Sequence, residues 1–313
     1  MKRSTVLVTG GAGFIGSHLV RELLARKHAV RVLDNFVTGK RANLDGVSGP
    51  LEIVEGDQRD PAVCARVMRD VQYVLAVAAL PSVSRSVADP RTSHDVNVNG
   101  IFNLLMAARD AGVERFVYSS SSSVYGNTPQ LPKREDMSPS PLSPYAVSKL
   151  TGEYYCNIFS TLYNLPTVSM RYFNVFGPRQ DPNSQYSGVI SRFCTSMLRG
   201  ESPVLNGDGT QTRDFTYVAN VVHANLLACT APLSGPLIVN IGAGQRTSLL
   251  DLLHALEGLT GRIADPIFQP ERPGDVRDSQ ADITRAQATL AYTPIVDFHT
   301  GLRETLAHFK SML

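Results

Sequence analysis

Thr5-Val6-Leu7-Val8-Thr9-Gly10-Gly11-Ala12-Gly13-Phe14-Ile15-Gly16 decides the architecture of this chain. Its first five residues form a short β-branched run, its middle is rich in glycine, and Leu19, Leu23 and Leu24 follow at helical spacing. That pattern reads as strand, tight turn, helix. Gly11, Gly13 and Gly16 fit G-x-G-x-x-G, and Gly10 supplies the G-x-x-G-x-x-G variant. Glycines at these places let backbone N–H groups and a helix N-terminus approach a pyrophosphate. The next strand, Ala29 to Leu33, ends in Asp34, 18 positions beyond Gly16. An acidic residue there would hold adenosine ribose hydroxyls, and its charge disfavours a 2′-phosphate. NAD is therefore expected rather than NADP.

Outward from this unit the pattern repeats. Leu51 to Glu55, followed by Gly56-Asp57-Gln58, and Tyr73 to Ala78 read as further strands. Asp57, at a strand end, either meets the adenine amino group or caps the helix that follows. A helix from about Ser93 to Ala111 leads into the apolar strand Arg115 to Ser119. Strand and helix alternate as far as Tyr172, which predicts an α/β fold with a parallel, doubly wound sheet. Its ligands should lie across the carboxyl ends of the strands. Five serines, Ser119 to Ser123, stand at one such end.

Downstream, Ser143-Pro144-Tyr145-Ala146-Val147-Ser148-Lys149 opens a long helix. Ser143 suits the N-cap and Pro144 the first helical position. Val147, Leu150, Tyr154 and Ile158 fall on one side of it. Tyr145 and Lys149, four apart, are neighbours on one face. An ammonium beside a phenol favours the phenolate, so Tyr145 is a candidate general base with Lys149 as its tuning group. A serine hydroxyl from the run at 119–123 could bond the substrate hydroxyl whose proton Tyr145 removes.

After Tyr172 the elements shorten. Helices are expected near Val189 to Arg199, Val218 to Thr230, Ser248 to Thr260 and Gly301 to Met312, with a turn at Asn206-Gly207-Asp208-Gly209. Leu237 to Ile241 reads as a strand returning to the main sheet. The expected division is a cofactor domain over residues 1–173, with that returning strand, and a smaller, interleaved α/β substrate domain over most of 174–313.

Composition narrows the partners. Of 313 residues, 43% are hydrophobic and 19% charged, as in ordered globular chains. A net charge of +2 offers no field for nucleic acid or an anionic membrane, so a few placed groups must do any anion binding. Cys64, Cys156, Cys194 and Cys229 are widely spaced, which predicts reduced core residues and no metal site. No signal-peptide core follows Met1-Lys2-Arg3, and no apolar run approaches the ~20 residues that span a bilayer. A cytoplasmic location is expected.

Taken together, the motifs resemble the extended short-chain dehydrogenase/reductase superfamily, and within it the nucleotide-sugar 4-epimerases. The matching stretches are Thr9 to His18, Asp34-Asn35, Asp57-Gln58, Asn97-Val98-Asn99-Gly100, Tyr145-x-x-x-Lys149, Arg171 to Val175, Arg213-Asp214-Phe215 and Arg272-Pro273-Gly274-Asp275. The resemblance covers essentially the whole chain and implies a Rossmann cofactor domain. It implies NAD contacts from Gly10, Gly13, Phe14, Ile15, Gly16, Asp34, Asn35, Asp57, Gln58, Tyr145, Lys149 and Tyr172. It implies catalysis by Ser121, Tyr145 and Lys149. Ser82, Ser120, Ser121, Ser122, Tyr145, Asn174, Arg213, Arg272, Asp275 and Ser279 would hold a UDP-sugar. Two departures stand out: Ala76 where the family usually has His, and Asn220 in place of a frequent aspartate.

By the same resemblance, the residue four after the aspartate of R-P-G-D lies over the sugar's C2 substituent. Here it is Ser279, small enough to admit an N-acetyl group. Gln180-Asp181-Pro182-Asn183-Ser184 and Ser82 also resemble the subgroup that interconverts UDP-N-acetylglucosamine and UDP-N-acetylgalactosamine. UDP-glucose and UDP-galactose are expected to turn over more slowly. Superfamily dehydratases and decarboxylases carry a carboxyl where this chain has Ser122-Ser123, which disfavours elimination. A UDP-glucuronate 4-epimerase would need a cation for the sugar carboxylate, and Asp181 has the wrong sign. A non-catalytic NAD-binding sensor would tend to lack the Tyr145/Lys149 pair. The helices holding Asn97 to Ala111 and Tyr145 to Tyr163 resemble those that pair into a four-helix bundle, so a homodimer is expected.

Overall fold

The computed structural model describes residues 4–181, 188–270 and 276–312. The first half alternates strands with one or more helices, except that only a 3-10 turn joins β2 to β3: β1 (Thr5–Thr9), α1 (Phe14–Ala25), β2 (Ala29–Asp34), β3 (Leu51–Glu55), α2 (Pro61–Val67), β4 (Tyr73–Ala76), α3 (Val83–Ala88), α4 (Pro90–His94), α5 (Gly100–Asp110), β5 (Arg115–Ser121), α6 (Pro144–Tyr163) and β6 (Thr167–Tyr172). The second half holds β7 (Val175–Phe176), α7 (Val189–Arg199), β8 (Val204–Asn206), β9 (Thr212–Arg213), β10 (Thr216–Tyr217), α8 (Val218–Thr230), β11 (Leu237–Ile241), β12 (Thr247–Ser248), α9 (Leu249–Thr260), β13 (Ile267–Gln269), α10 (Thr284–Leu290) and α11 (Phe298–Lys310). Seven parallel strands in the order β11-β6-β5-β4-β1-β2-β3 make the main sheet.

Val6, Leu7 and Val8 of β1 are fully buried, because helices cover both faces of the sheet. Each such side chain contributes about 1.5–3 kcal/mol by leaving water. Strand order reverses between β1 and β4, and the cleft at that switch point is where an open α/β sheet receives a ligand. The expected returning strand is β11, in register with β6 from Leu237 opposite Val168 to Ile241 opposite Tyr172. Around the smaller two-stranded sheets a second core forms from Phe176, Phe193, Phe215, Leu252 and Leu302, among others.

Capping follows the sequence signals. Ser143 Oγ accepts from Ala146 N–H at 3.2 Å, Pro144 opens α6, and Asn164 ends it at φ 55°. α11 starts at Phe298, earlier than Gly301, because Asp297 accepts from Thr300 N–H at 2.9 Å. The helix expected over Ser93 to Ala111 is interrupted. Asp95–Asn99 forms a π-helical turn between α4 and α5. The Gln58 side chain fills the space beside Gly100, where a Cβ would stand 2.6 Å from Gln58 Cγ. Gln58 Nε2 donates to the Val96 carbonyl within that turn at 2.9 Å. Such widened turns gather at functional sites.

Both departures from the family pattern have structural settings. Ala76 is buried in the apolar core that also holds Leu105 and Tyr118. Asn220 Oδ1 accepts from Ile295 and Val296 N–H, and its Nδ2 donates to the Val296 carbonyl, pinning the approach to α11. All four cysteines are free and buried, and burial pushes their thiols up to about 12. Among the described residues no helix is long and apolar enough to cross a membrane.

Candidate active site

On the cofactor side, the chain leaves β1 through Gly10 at φ 67° and enters α1 at Gly13, whose N–H donates to the Gly10 carbonyl at 3.0 Å. Gly16 presses so close that a Cβ there would lie 2.0 Å from the Gly10 oxygen. No side chain caps α1, so the N–H groups of Phe14 and Ile15 in its first turn remain for a ligand. Asp34 is buried at the end of β2 and accepts from Ala12 N–H at 2.9 Å and Phe36 N–H at 2.8 Å. An uncapped helix start with an acidic group at the next strand end fits the pyrophosphate and ribose of a dinucleotide.

Further along the same rim, Asn35 Nδ2 donates to Asp57 Oδ2 at 2.8 Å. Asp57 also receives the Arg59 guanidinium, which holds its carboxyl down at about 2. The capping of α2 belongs to Asp60 instead, whose carboxylate accepts from Ala62 N–H at 2.8 Å. Two expected cofactor side chains turn away from the cleft. Gln58 is buried against the π-helical turn, and the Tyr172 hydroxyl is taken by Ser119 and Asn225 inside the core. Any cofactor contact they make comes from the backbone or from the tyrosine ring.

The reactive cluster stands where β5 ends against the start of α6. The Ser121 hydroxyl stands close enough to the Tyr145 phenol to ease its ionisation, which places Ser121, among the five serines, at the phenol. Lys149 is buried and donates to the Ser119 carbonyl at 2.7 Å. Its ammonium lies 5.9 Å from the Tyr145 ring centre and 5.1 Å from that of Tyr118. Burial raises the Tyr145 phenol, and the Ser121 hydroxyl opposes the rise. Burial also lowers Lys149, to about 8.

Successive strand residues face opposite sides, and the Ser120 hydroxyl, unlike that of Ser121, donates to Glu153 at 2.5 Å. Ser122 begins a short 3-10 turn next to the cluster and is half-buried. Ser82 caps α3 by accepting from Arg85 N–H at 3.2 Å, at φ 117°. α3 meets the cluster through Ser86, whose hydroxyl accepts from Tyr145 N–H at 3.0 Å.

On the sugar side, a cavity of about 250 Å³ opens among Asn174, Phe176, Gln180, Arg192, Gln211, Arg213 and Phe215. Asn174 Nδ2 donates to Ser279 Oγ at 3.0 Å and to the Asp214 carbonyl at 3.2 Å. Ser279 is 7% exposed and stands behind the cavity-lining Asn174. Arg213 Nη1 donates to the Arg277 carbonyl at 2.6 Å. Arg272 and Asp275 lie outside the described residues. Arg192 and Gln211 join the cavity without a motif to announce them. The only signal for Arg192 is a cation among the mostly buried residues of the first turns of α7. Among the described residues no group of His, Cys, Asp and Glu could hold a metal ion.

Comparisons with known proteins agree with this geometry. The model of the NAD dependent epimerase/dehydratase family matches residues 6–242. The chain is 40% identical to the UDP-glucose 4-epimerase of Mycolicibacterium smegmatis over 309 residues, which is 97% of this chain and 98% of that protein. It superposes on the UDP-N-acetylglucosamine 4-epimerase of Methanobrevibacter ruminantium, solved with UDP-N-acetylmuramic acid, with a TM-score of 0.96, 38% identity and 100% coverage of both chains. For the UDP-glucuronic acid 4-epimerase of Bacillus cereus, solved with UDP-glucuronic acid and NAD, the TM-score is 0.92 at 33% identity, covering 99% and 100%.

Proposed function

We propose, since the chain belongs to the NAD-dependent epimerase/dehydratase family, that it inverts C4 of UDP-N-acetylglucosamine and UDP-N-acetylgalactosamine, and more slowly of UDP-glucose and UDP-galactose. It is an isomerase with NAD as cofactor. When bound, NAD supplies a hydride acceptor and donor at the sugar's C4. Phe14 and Ile15 N–H would hold its pyrophosphate and Asp34 its ribose. The chain's own residues then have separate tasks. Tyr145 takes the proton of the 4-hydroxyl and returns it, with Ser121 donating to the phenolate oxygen. Lys149, anchored on the Ser119 carbonyl, would hold the nicotinamide ribose.

Arg213 and Asn174 belong to the grip on the diphosphate. Charge-assisted contacts to the remote nucleotide carry the affinity, so the reacting ring can be held loosely and present either face. The observation that supports the N-acetyl reading is Ser279, a small, buried side chain bonded to the cavity-lining Asn174. The C2 substituent is the part of the sugar that it faces in the resembling enzymes. Asp181 forms an ion pair with Lys40 at 3.1 Å, so the Lys40 charge is offset there and is not left over for a glucuronate carboxylate. Incubating the protein separately with UDP-N-acetylglucosamine, UDP-glucose and UDP-glucuronate, and reading C4 configuration by NMR, tests the assignment. Inversion confined to UDP-glucuronate would refute it.

Val147, Tyr154, Ile158 and Leu162 form an exposed apolar stripe along α6, with Phe102 of α5 beside it. A second copy of the chain packing α5 and α6 against the same pair would cover that stripe. Light scattering at twice the chain mass is the expected result, and a monomer would remove the idea.

A further inference from the structure

Beneath the Ser121–Tyr145–Lys149 cluster lies a charge pair that the reaction, as set out above, does not use. Glu153 sits one helical turn beyond Lys149 on α6 and is fully buried. Its carboxylate accepts from Arg171 Nε at 2.9 Å and Nη2 at 2.7 Å, and from the Ser120 hydroxyl at 2.5 Å. Arg171, on β6, is equally buried, and its guanidinium lies 4.7 Å over the Tyr125 ring. Taking two charges out of water is costly, and an apolar pair of similar volume would serve stability as well. Packing alone therefore gives no reason for charges here.

The end of β5 supplies one. Ser119 offers its carbonyl to Lys149, Ser121 stands beside the Tyr145 phenol, and between them Ser120 points the other way to Glu153. The Ser120–Glu153 bond thus ties this strand end to the helix that carries both reacting groups. We propose that Glu153 is a positioning residue for the C4 reaction, gripping Ser120 and Arg171 so that β5 presents the Ser121 hydroxyl to Tyr145 and the Ser119 carbonyl to Lys149. This role rests on Tyr145 being the proton acceptor.

Electrostatics support the same assignment. The ionisable groups facing Lys149 are Tyr145 and Glu153 on its own helix and Tyr118 on β5, with Arg171 on β6 behind Glu153. Burial lowers the Lys149 ammonium, and the Glu153 carboxylate pulls it back up. Neutralising that carboxylate should bring the loss of the ammonium to lower pH.

Glu153→Gln keeps the shape and removes the charge. Measured beside wild type on whichever UDP-sugar wild type converts, it should lower kcat about tenfold or more, leave KM within about twofold, and move the alkaline limb of the kcat–pH profile down. Ser120→Ala leaves the ion pair in place and covers the case in which Glu153→Gln does not fold. It should lower kcat several-fold with the alkaline limb unmoved. Backbone hydrogen exchange at residues 119–121, which needs no substrate, should quicken in both variants. Wild-type kcat and pH profile in folded Glu153→Gln, or wild-type kcat in Ser120→Ala, overturns the role. A wild-type chain that converts no UDP-sugar defeats the functional reading instead, and unchanged exchange at 119–121 then overturns the positioning role by itself.

Discussion

The cofactor side of the cleft is assembled from residues near one another in the chain, Gly10 to Asp34, whereas the sugar side joins Asn174 to Ser279, 105 positions apart. The first rests on a seven-stranded ladder whose backbone groups are paired on both sides of β1. The second rests on two-residue strands such as β7, β9, β10 and β12, and on single side-chain bonds like Thr212 N–H to Asp278 at 3.0 Å. Regions with few ladder bonds open more easily than ladder cores. A stiff cofactor seat facing a softer sugar seat suits a reaction in which one partner stays and the other must turn over.

Tyr145→Phe should break activity with the largest effect while sparing both seats. The phenol sits at the seam, so kcat should fall about a thousandfold, within the range for losing an acid/base group. Bound NAD, read by absorbance after denaturation, should remain. Loss of NAD along with activity would mean that the seats are not separable at the seam. Ser279→Tyr sharpens the sugar side. It should cut kcat/KM for UDP-N-acetylglucosamine about a hundredfold and change UDP-glucose little. Equal losses on both sugars would show that position 279 supports the wall without selecting the substrate.

The smallest effect is graded by pH. Lys149 is a base lowered by burial to about 8, so it is charged below that pH and neutral above it. A step that needs the ammonium should hold steady below about pH 8 and decline above, roughly tenfold per unit at most. An alkaline limb that begins only near pH 10 would mean that bound ligand or water relieves the burial.

The contrast also explains what could be read from the sequence. The glycine turn, Asp34 and the Tyr145/Lys149 pair are visible because their geometry is local, fixed by a turn or by four residues of helix. The sheet followed from strand–helix alternation, and β11 from one apolar run. Spacing tells that a residue is near a site but not which way it faces, and so the hydrogen bonds of Ser120, Gln58 and the Tyr172 hydroxyl to buried partners could not be read from it. The π-helical turn at Asp95–Asn99 depends on Gln58 reaching Gly100 from another element, which no local window contains. The Glu153–Arg171 pair was equally hidden, although Tyr145, Lys149 and Glu153 recur at every fourth position. Arg192 and Gln211 reach the cavity only through the folding of the second half.

The most direct test of the stiff seat and the turning sugar is isotopic. UDP-N-acetylglucosamine carrying deuterium at C4 is incubated with the wild-type protein, and the product is examined by NMR. Retention of the deuterium at an inverted C4 in UDP-N-acetylgalactosamine is predicted, because the hydrogen leaves and returns within one closed site while the ring changes face. Inversion with the label washed into solvent, or a product that has lost water instead of changing configuration, would contradict the account.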